Sequence, residues 1–265
     1  MKKVVFILPA IFLLLAFANS KKKPVAQSVP ATPKLVVGIV IDQMRFDYVY
    51  RYWNKLGNDG FKRILTQGFQ CRNTNYNYMP TYTGPGHASI YTGTTPAVHG
   101  IIANDWPDRE TGKMVYCAED KSVKGVGADG DEGKRSPSRM LTTTVGTQLH
   151  IATNHRSKVF GIALKDRAAI LPAGHTANGA FWYDGGSGNF ISSTFFMEEL
   201  PKWVIDFNNR KLPEQYLSQD WNTLLPVEQY TESLSDNSPY EGMWKGESTS
   251  TFPHKVSTLR ETNGK

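Results

Sequence analysis

The chain has 265 residues, 40% apolar and 12% aromatic, which suits one large folded domain or two small ones and excludes a collagenous or low-complexity protein. Thirty basic and 24 acidic side chains leave a formal charge of +6, with no run of five or more Lys/Arg. That mild excess lacks the clustered basic face of a nucleic-acid binder, so no nucleic-acid partner is expected.

Residues 1–20, MKKVVFILPAIFLLLAFANS, place Lys2 and Lys3 before an apolar core and end on Ala18-Asn19-Ser20, as a signal peptide does. The apolar stretch is shorter than the ~20 residues of a membrane span, and no cysteine follows it, so no stable membrane anchor is expected. The protein is read as exported, periplasmic or extracellular. Residues 21–33, charged and then proline-rich, are read as a flexible leader.

The fold is expected to begin at residues 34–42, KLVVGIVID. This β-branched run has the pattern of a strand buried on both faces of a parallel sheet. It ends on Asp42, and the carboxyl ends of strands in open α/β sheets are where ligands bind. Residues 48–67 read as an interrupted helix and residues 69–78 as extended.

The stretch 80–93, PTYTGPGHASIYTG, reads as a turn feeding a helix, because Gly84, Pro85 and Gly86 break what precedes while proline tolerates the first helical turn. Thr83 then lies at or next to the N-cap. A threonine there can simply cap the helix, or it can face an anion at the positive end of the dipole. His87, one turn on, is expected with its ring on the helix surface.

Residues 106–134, rich in Gly and charge, read as an insertion or long loop, and the acids at 129–132 as a solvated turn rather than a calcium loop. Tyr76, Tyr78, Tyr82 and Trp106 are read as core or cleft wall rather than a platform for stacking bases. A helix is expected to start at Ser136-Pro137-Ser138 and run through 139–154. A second apolar strand follows at 158–164 and ends in Lys165-Asp166-Arg167. On a strand, Lys165 and Arg167 would face one side, a pair suited to a phosphoryl group. Residues 181–194 suggest a β-hairpin, 197–209 a helix despite Pro201, and no strong element is expected beyond 212. Strands alternating with helices predict an α/β sheet.

Cys71 and Cys117 are the two cysteines. In an exported protein a disulfide between them is favoured over the alternative of two buried thiols.

Asp42, Thr83 and the Lys165/Arg167 pair form the constellation of interest. A threonine hydroxyl needs a base, a metal or a strong field to act as a nucleophile, and no Gly-x-Ser-x-Gly elbow is present. Three blocks carry a resemblance: VVGIVIDQMR at 36–45, NYNYMPTYTGPGHASIYTGTTPAVHGIIANDW at 75–106, and ALKDRAAILPAGH at 163–175. They resemble the alkaline phosphatase superfamily, in its phosphodiesterase/nucleotide-pyrophosphatase-like branch, nearest the secreted bacterial enzymes that use threonine.

The resemblance implies a three-layer α/β/α sandwich with a mostly parallel sheet, of which residues 34–265 form the N-terminal part of the catalytic domain. It implies two Zn2+ ions per complete site, with Asp42 and Thr83 among the metal ligands. It makes Thr83 the nucleophile that becomes phosphothreonine, Asn104 an amide donor to phosphate, and Lys165 and Arg167 the pair that binds the remaining oxygens. Phosphate monoesters are the implied substrates, since that pair separates monoesterases from diesterase relatives. The alternatives are a phosphodiesterase or nucleotide pyrophosphatase, and a non-catalytic phosphate binder. An Asp-x-x-x-His, an Asp-His dipeptide and a final histidine ligand, also implied, are not found after Lys165. The chain by itself is therefore expected to hold zinc poorly and to lack substantial activity. Nothing in the sequence indicates an oligomeric state.

Overall fold

A computed structural model describes residues 33–244 and 246–258. The signal-peptide reading of residues 1–20 lies outside the described residues, as does the leader apart from Pro33.

Residues 33–40 carry no helix or strand, and their large apolar side chains, Leu35 and Ile39 among them, are exposed. The strand expected at 34–42 is thus not formed. An apolar β-branched run records a preference, but a strand exists only where a neighbour completes its ladder.

The described residues from Ile41 onward form one compact unit. The interrupted helix expected at 48–67 is two short ones, α1 (Phe46–Arg51) and α2 (Phe61–Gln67). Helix α3 (Thr83–Thr92) follows, then the single turn α4 (Pro96–His99). The region read as a loop contains a hairpin, β1 (Asp105–Pro107) with β2 (Met114–Tyr116), in the register Asp105 opposite Tyr116. It also supplies β3 (Gly125–Val126).

Helix α5 (Val145–Ala152) starts well after Ser136-Pro137-Ser138. Its N-cap is Thr144, whose hydroxyl accepts from Thr147 N at 3.2 Å and satisfies one of the orphan amides of the first turn. A βαβ unit comes next: β4 (Phe160–Ala163), α6 (Asp166–Ala173) and β5 (Gly179–Asp184), with β4 and β5 parallel. Hairpin partner β6 (Asn189–Ser193) is antiparallel to β5 across the glycine turn, as expected. Helices α7 (Lys202–Asn208), entered through Pro201, and α8 (Leu212–Leu217) follow, the latter where no element was expected.

The four strands lie in the order β3-β6-β5-β4. The chain is therefore of the α/β class, with a mixed sheet in which parallel pairing is confined to β4–β5 among the described strands. Strand β5 is the centre, with Gly179 to Trp182 all buried. Helix α6 packs on β4 and β5 and on α3, so the main core lies between these elements. The approach of α6 to β4 demands Gly161, because a Cβ there would lie 2.1 Å from the Ala169 carbonyl oxygen. Among the described residues no helix is long and apolar enough to cross a membrane.

Candidate active site

Helix α3 is capped by Tyr82, with no side-chain hydrogen bond at the cap, and Thr83 is its first residue. The Thr83 hydroxyl is therefore not engaged in capping. It donates instead to Asp42 Oδ2 at 3.0 Å, across 41 residues of sequence. The other oxygen, Asp42 Oδ1, accepts the Gln43 amide at 2.9 Å. Gln43 adopts a left-handed backbone, φ 59°, which is uncommon for a residue other than glycine. Both carboxylate oxygens are thus oriented, one by its own chain and one by the threonine.

Gly84 to Ser89 are buried, so the start of α3 lies in the interior rather than on its surface. Its small residues make this possible. A Cβ on Gly84 would meet Ala103 O, Asn104 Oδ1 and Cys117 Sγ, each at 3.2 Å. The Gly84 amide donates to Asn104 Oδ1 at 2.8 Å. That bond spends the amide's oxygen, which fixes the Asn104 rotamer and turns Nδ2 into the group available as a donor. His87 is not on the surface as expected: its ring is 5% exposed, and Nδ1 bonds the Thr83 carbonyl at 2.9 Å. Its role is to hold the first turn of α3.

Lys165 and Arg167 do not share a strand face. Lys165, exposed and extended, is the N-cap of α6, and half-buried Arg167 lies in that helix's first turn. The strand ends earlier because the Asp166 carboxylate favours a helix start, where it faces the positive end of the dipole. Lys165 and Arg167 line a cleft of about 830 Å³ together with Tyr116, Arg135, Asp166 and Trp182. Among the described residues, Lys165 makes no hydrogen bond or ion pair with Asp42, Thr83 or Asn104.

The hairpin β1–β2 connects these two groups. Asn104 precedes β1, and its carbonyl accepts from Cys117 N at 2.8 Å. Cys117 follows β2 and lies under Gly84, while its neighbour Tyr116 reaches the α6 side, where Arg167 Nη1 donates to Tyr116 Oη at 3.0 Å. Sequence reading missed Tyr116, Arg135 and Asp166. The acid between Lys165 and Arg167 was a signal within reach; Tyr116 was concealed in a segment read as a loop.

Cys71 and Cys117 are both free thiols, which corrects the expected disulfide. Cys71 is exposed whereas Cys117 is fully buried in the core, so the two sulfurs sit in different environments. Burial, with the nearby Asp166 charge, pushes the Cys117 thiol up to about 12, leaving it an inert space-filler at neutral pH.

Zinc was the implied cofactor. Asp42 and Thr83 offer two oxygen donors, against the four ligands of a tetrahedral zinc. Among the described residues no group of three or more His, Cys, Asp or Glu side chains is placed to hold a metal. These residues alone do not fit the ion.

Thr83, Asp42 and Asn104 thus gather at the start of α3, with Arg167 on the α6 side of the β1–β2 hairpin. Residues 36–257 match the type I phosphodiesterase / nucleotide pyrophosphatase family, and the chain belongs to it. It is 55% identical over 251 residues to the alkaline phosphatase PhoV of Synechococcus elongatus, covering 93% of this chain and 46% of that protein. With the alkaline phosphatase PafA of Elizabethkingia meningoseptica it shares 54% identity over 223 residues, 84% of this chain and 41% of PafA. The crystal structure of wild-type PafA superposes with a TM-score of 0.84 at 52% identity, over 86% of this chain and 44% of that one. A PafA variant with one threonine, one asparagine, one lysine and one arginine replaced superposes with a TM-score of 0.83. The chain thus spans a little under half the length of these relatives.

Proposed function

We propose that the protein hydrolyses phosphate monoesters through a phosphothreonine on Thr83, in an exported, zinc-dependent enzyme. The observation that carries this reading is the 3.0 Å bond from the Thr83 hydroxyl to Asp42. A hydroxyl needed for capping would face backbone amides, whereas this one faces a carboxylate. In the first step Thr83 Oγ1 forms a bond to phosphorus as its hydroxyl proton is lost, and the bond from phosphorus to the ester oxygen breaks, its electron pair staying on that oxygen, which takes up a proton to become the leaving alcohol. In the second step water attacks phosphorus and gives up a proton, the bond from phosphorus to Thr83 Oγ1 breaks, and the threonine oxygen recovers a proton as phosphate is released. Asn104 Nδ2 and the Lys165/Arg167 cations stabilise the phosphoryl oxygens, where positioning and charge supply most of the rate.

Two supports come from the relatives. Both curated relatives described above bear the name alkaline phosphatase. In the PafA variant the replaced threonine and asparagine are 21 positions apart and the lysine and arginine two apart, the same spacings as Thr83/Asn104 and Lys165/Arg167. Zinc belongs to the proposal for the whole protein, with Asp42 and Thr83 contributing two of the donors. A dianionic monoester is preferred to a diester because the arginine and lysine offer two cations to its unesterified oxygens.

The test uses the full-length gene product with p-nitrophenyl phosphate and bis-p-nitrophenyl phosphate. The monoester is expected to be the better substrate, and Thr83→Ala to lower its kcat by roughly a thousand-fold or more. Acid quenching with labelled phosphate should trap label on Thr83 in the wild type alone. A Thr83→Ala variant that keeps its rate would refute the assignment. Residues 1–265 by themselves are expected to turn over little substrate.

A further inference from the structure

Resting on the reading of Arg167 as a phosphate-binding cation, we propose that Tyr116 is its positioning residue, oriented by Asp166 and Arg135. Arg167 is a long side chain on the first turn of α6, and among the described residues its Nε is buried without a hydrogen-bond partner. Its guanidinium is held by the bond from Nη1 to Tyr116 Oη, at 3.0 Å. Tyr116 Oη in turn donates to Asp166 Oδ1. Asp166 Oδ2 accepts from Arg135 Nε at 2.7 Å, and Oδ1 also accepts the Arg167 amide at 2.6 Å.

The direction of this chain is forced. A guanidinium only donates and a carboxylate only accepts, so the single phenolic proton goes to Asp166 and a lone pair is left for Arg167. Burial and the adjacent Asp166 charge raise the phenol's pKa, so it stays neutral and keeps that order at any working pH. Both guanidinium groups also lie over the Tyr116 ring, Arg135 at 5.2 Å and Arg167 at 5.8 Å from its centroid.

The arrangement has a purpose that a direct ion pair would not serve. The Asp166 carboxylate pairs with Arg135. Among the described residues Arg167 forms no ion pair of its own; it is held by a neutral hydroxyl. A neutral partner fixes the guanidinium without cancelling the charge that an incoming phosphate must meet. Tyr116 therefore affects the substrate class that depends on Arg167, the dianionic monoester, more than the diester.

The experiment is a double-mutant cycle of Tyr116→Phe and Arg167→Ala in the full-length gene product, read with both p-nitrophenyl esters and with inorganic phosphate affinity. Tyr116→Phe should lower monoester kcat/KM and phosphate affinity by about 10–30-fold, as for a lost hydrogen bond to a charged group, and diester kcat/KM by less than about 3-fold. In the Arg167→Ala background the same substitution should have almost no further effect. Asp166→Asn serves as a second variant and should reproduce the monoester bias. Equal losses on both esters, or full additivity with Arg167→Ala, would overturn the proposal while leaving the phosphatase reading intact. If Arg167→Ala itself changes neither ester rate nor phosphate affinity, the reading on which the proposal rests fails with it.

Discussion

Thr83 shows how much one side chain's direction decides. Its sequence setting is that of an ordinary helix start, and position alone leaves capping and catalysis open. The hydrogen bond to Asp42 removes capping, because the cap is Tyr82 and the threonine hydroxyl faces a carboxylate. Gly84 next to it is fixed by contact rather than by backbone freedom. Gly84→Ala would bring a methyl to 3.2 Å from Ala103 O, Asn104 Oδ1 and Cys117 Sγ, and the first two cannot retreat without moving Asn104. The expected loss is about 1–3 kcal/mol of stability, as for overpacking elsewhere, with at least a tenfold fall in kcat/KM. Urea unfolding beside steady-state kinetics would measure both. A substitution neutral in each would mean that the loop has room the distances deny. Cys117, legible as half of a disulfide, is instead the small sulfur that fills the space under this glycine.

Among the elements, α3 and α4 are pinned by a buried histidine. His99 Nδ1 accepts the Ile101 amide at 3.2 Å, so Nε2 carries the proton and donates to Ser89 Oγ at 2.9 Å. The ring is fully buried, and desolvation lowers its pKa below the ordinary 6.5. The native state thus takes up a proton less readily than the unfolded chain. Below about pH 6.5 the unfolded state binds more protons, so stability is intact at neutral pH and declines as the pH falls through that window. His99→Gln should be less stable at pH 7.5 but lose less on going to about pH 5, as read by urea unfolding at the two values. Parallel losses in wild type and variant would assign the acid sensitivity elsewhere. The β1–β2 hairpin is the other decisive element. Its strands are three residues long and carry no clear alternation, so the sequence read as a loop, yet it sets Asn104, Tyr116 and Cys117 between the starts of α3 and α6.

At the scale of the whole molecule, apolar surface is the outstanding feature. Among the described strands β4 is an edge of its sheet, with Phe160 and Ile162 exposed and Leu164 exposed just after it, and α5 leaves Val145 and Ile151 exposed. Exposed large apolar side chains at a sheet edge favour association. The 265-residue chain expressed alone should therefore bind a hydrophobic dye and sediment as oligomers at micromolar concentration. A monodisperse monomer that binds no dye would contradict this. The α/β class, strand β4 and the later hairpin were legible because period and turn chemistry are local properties, whereas the start of helix α6 was read as the end of a strand. The candidate groups Asp42, Thr83, Asn104, Lys165 and Arg167 were named from blocks of sequence that resemble a family, since such blocks can be read in the one-dimensional chain. Pairing and direction were not legible. Whether residues 34–42 find a ladder, whether the lysine and arginine share a strand or straddle a helix cap, and whether two cysteines meet all depend on neighbours distant in sequence. Tertiary structure alone turned the threonine toward its aspartate and hung the arginine on a tyrosine 51 residues away, because hydrogen bonds are chosen by position in space.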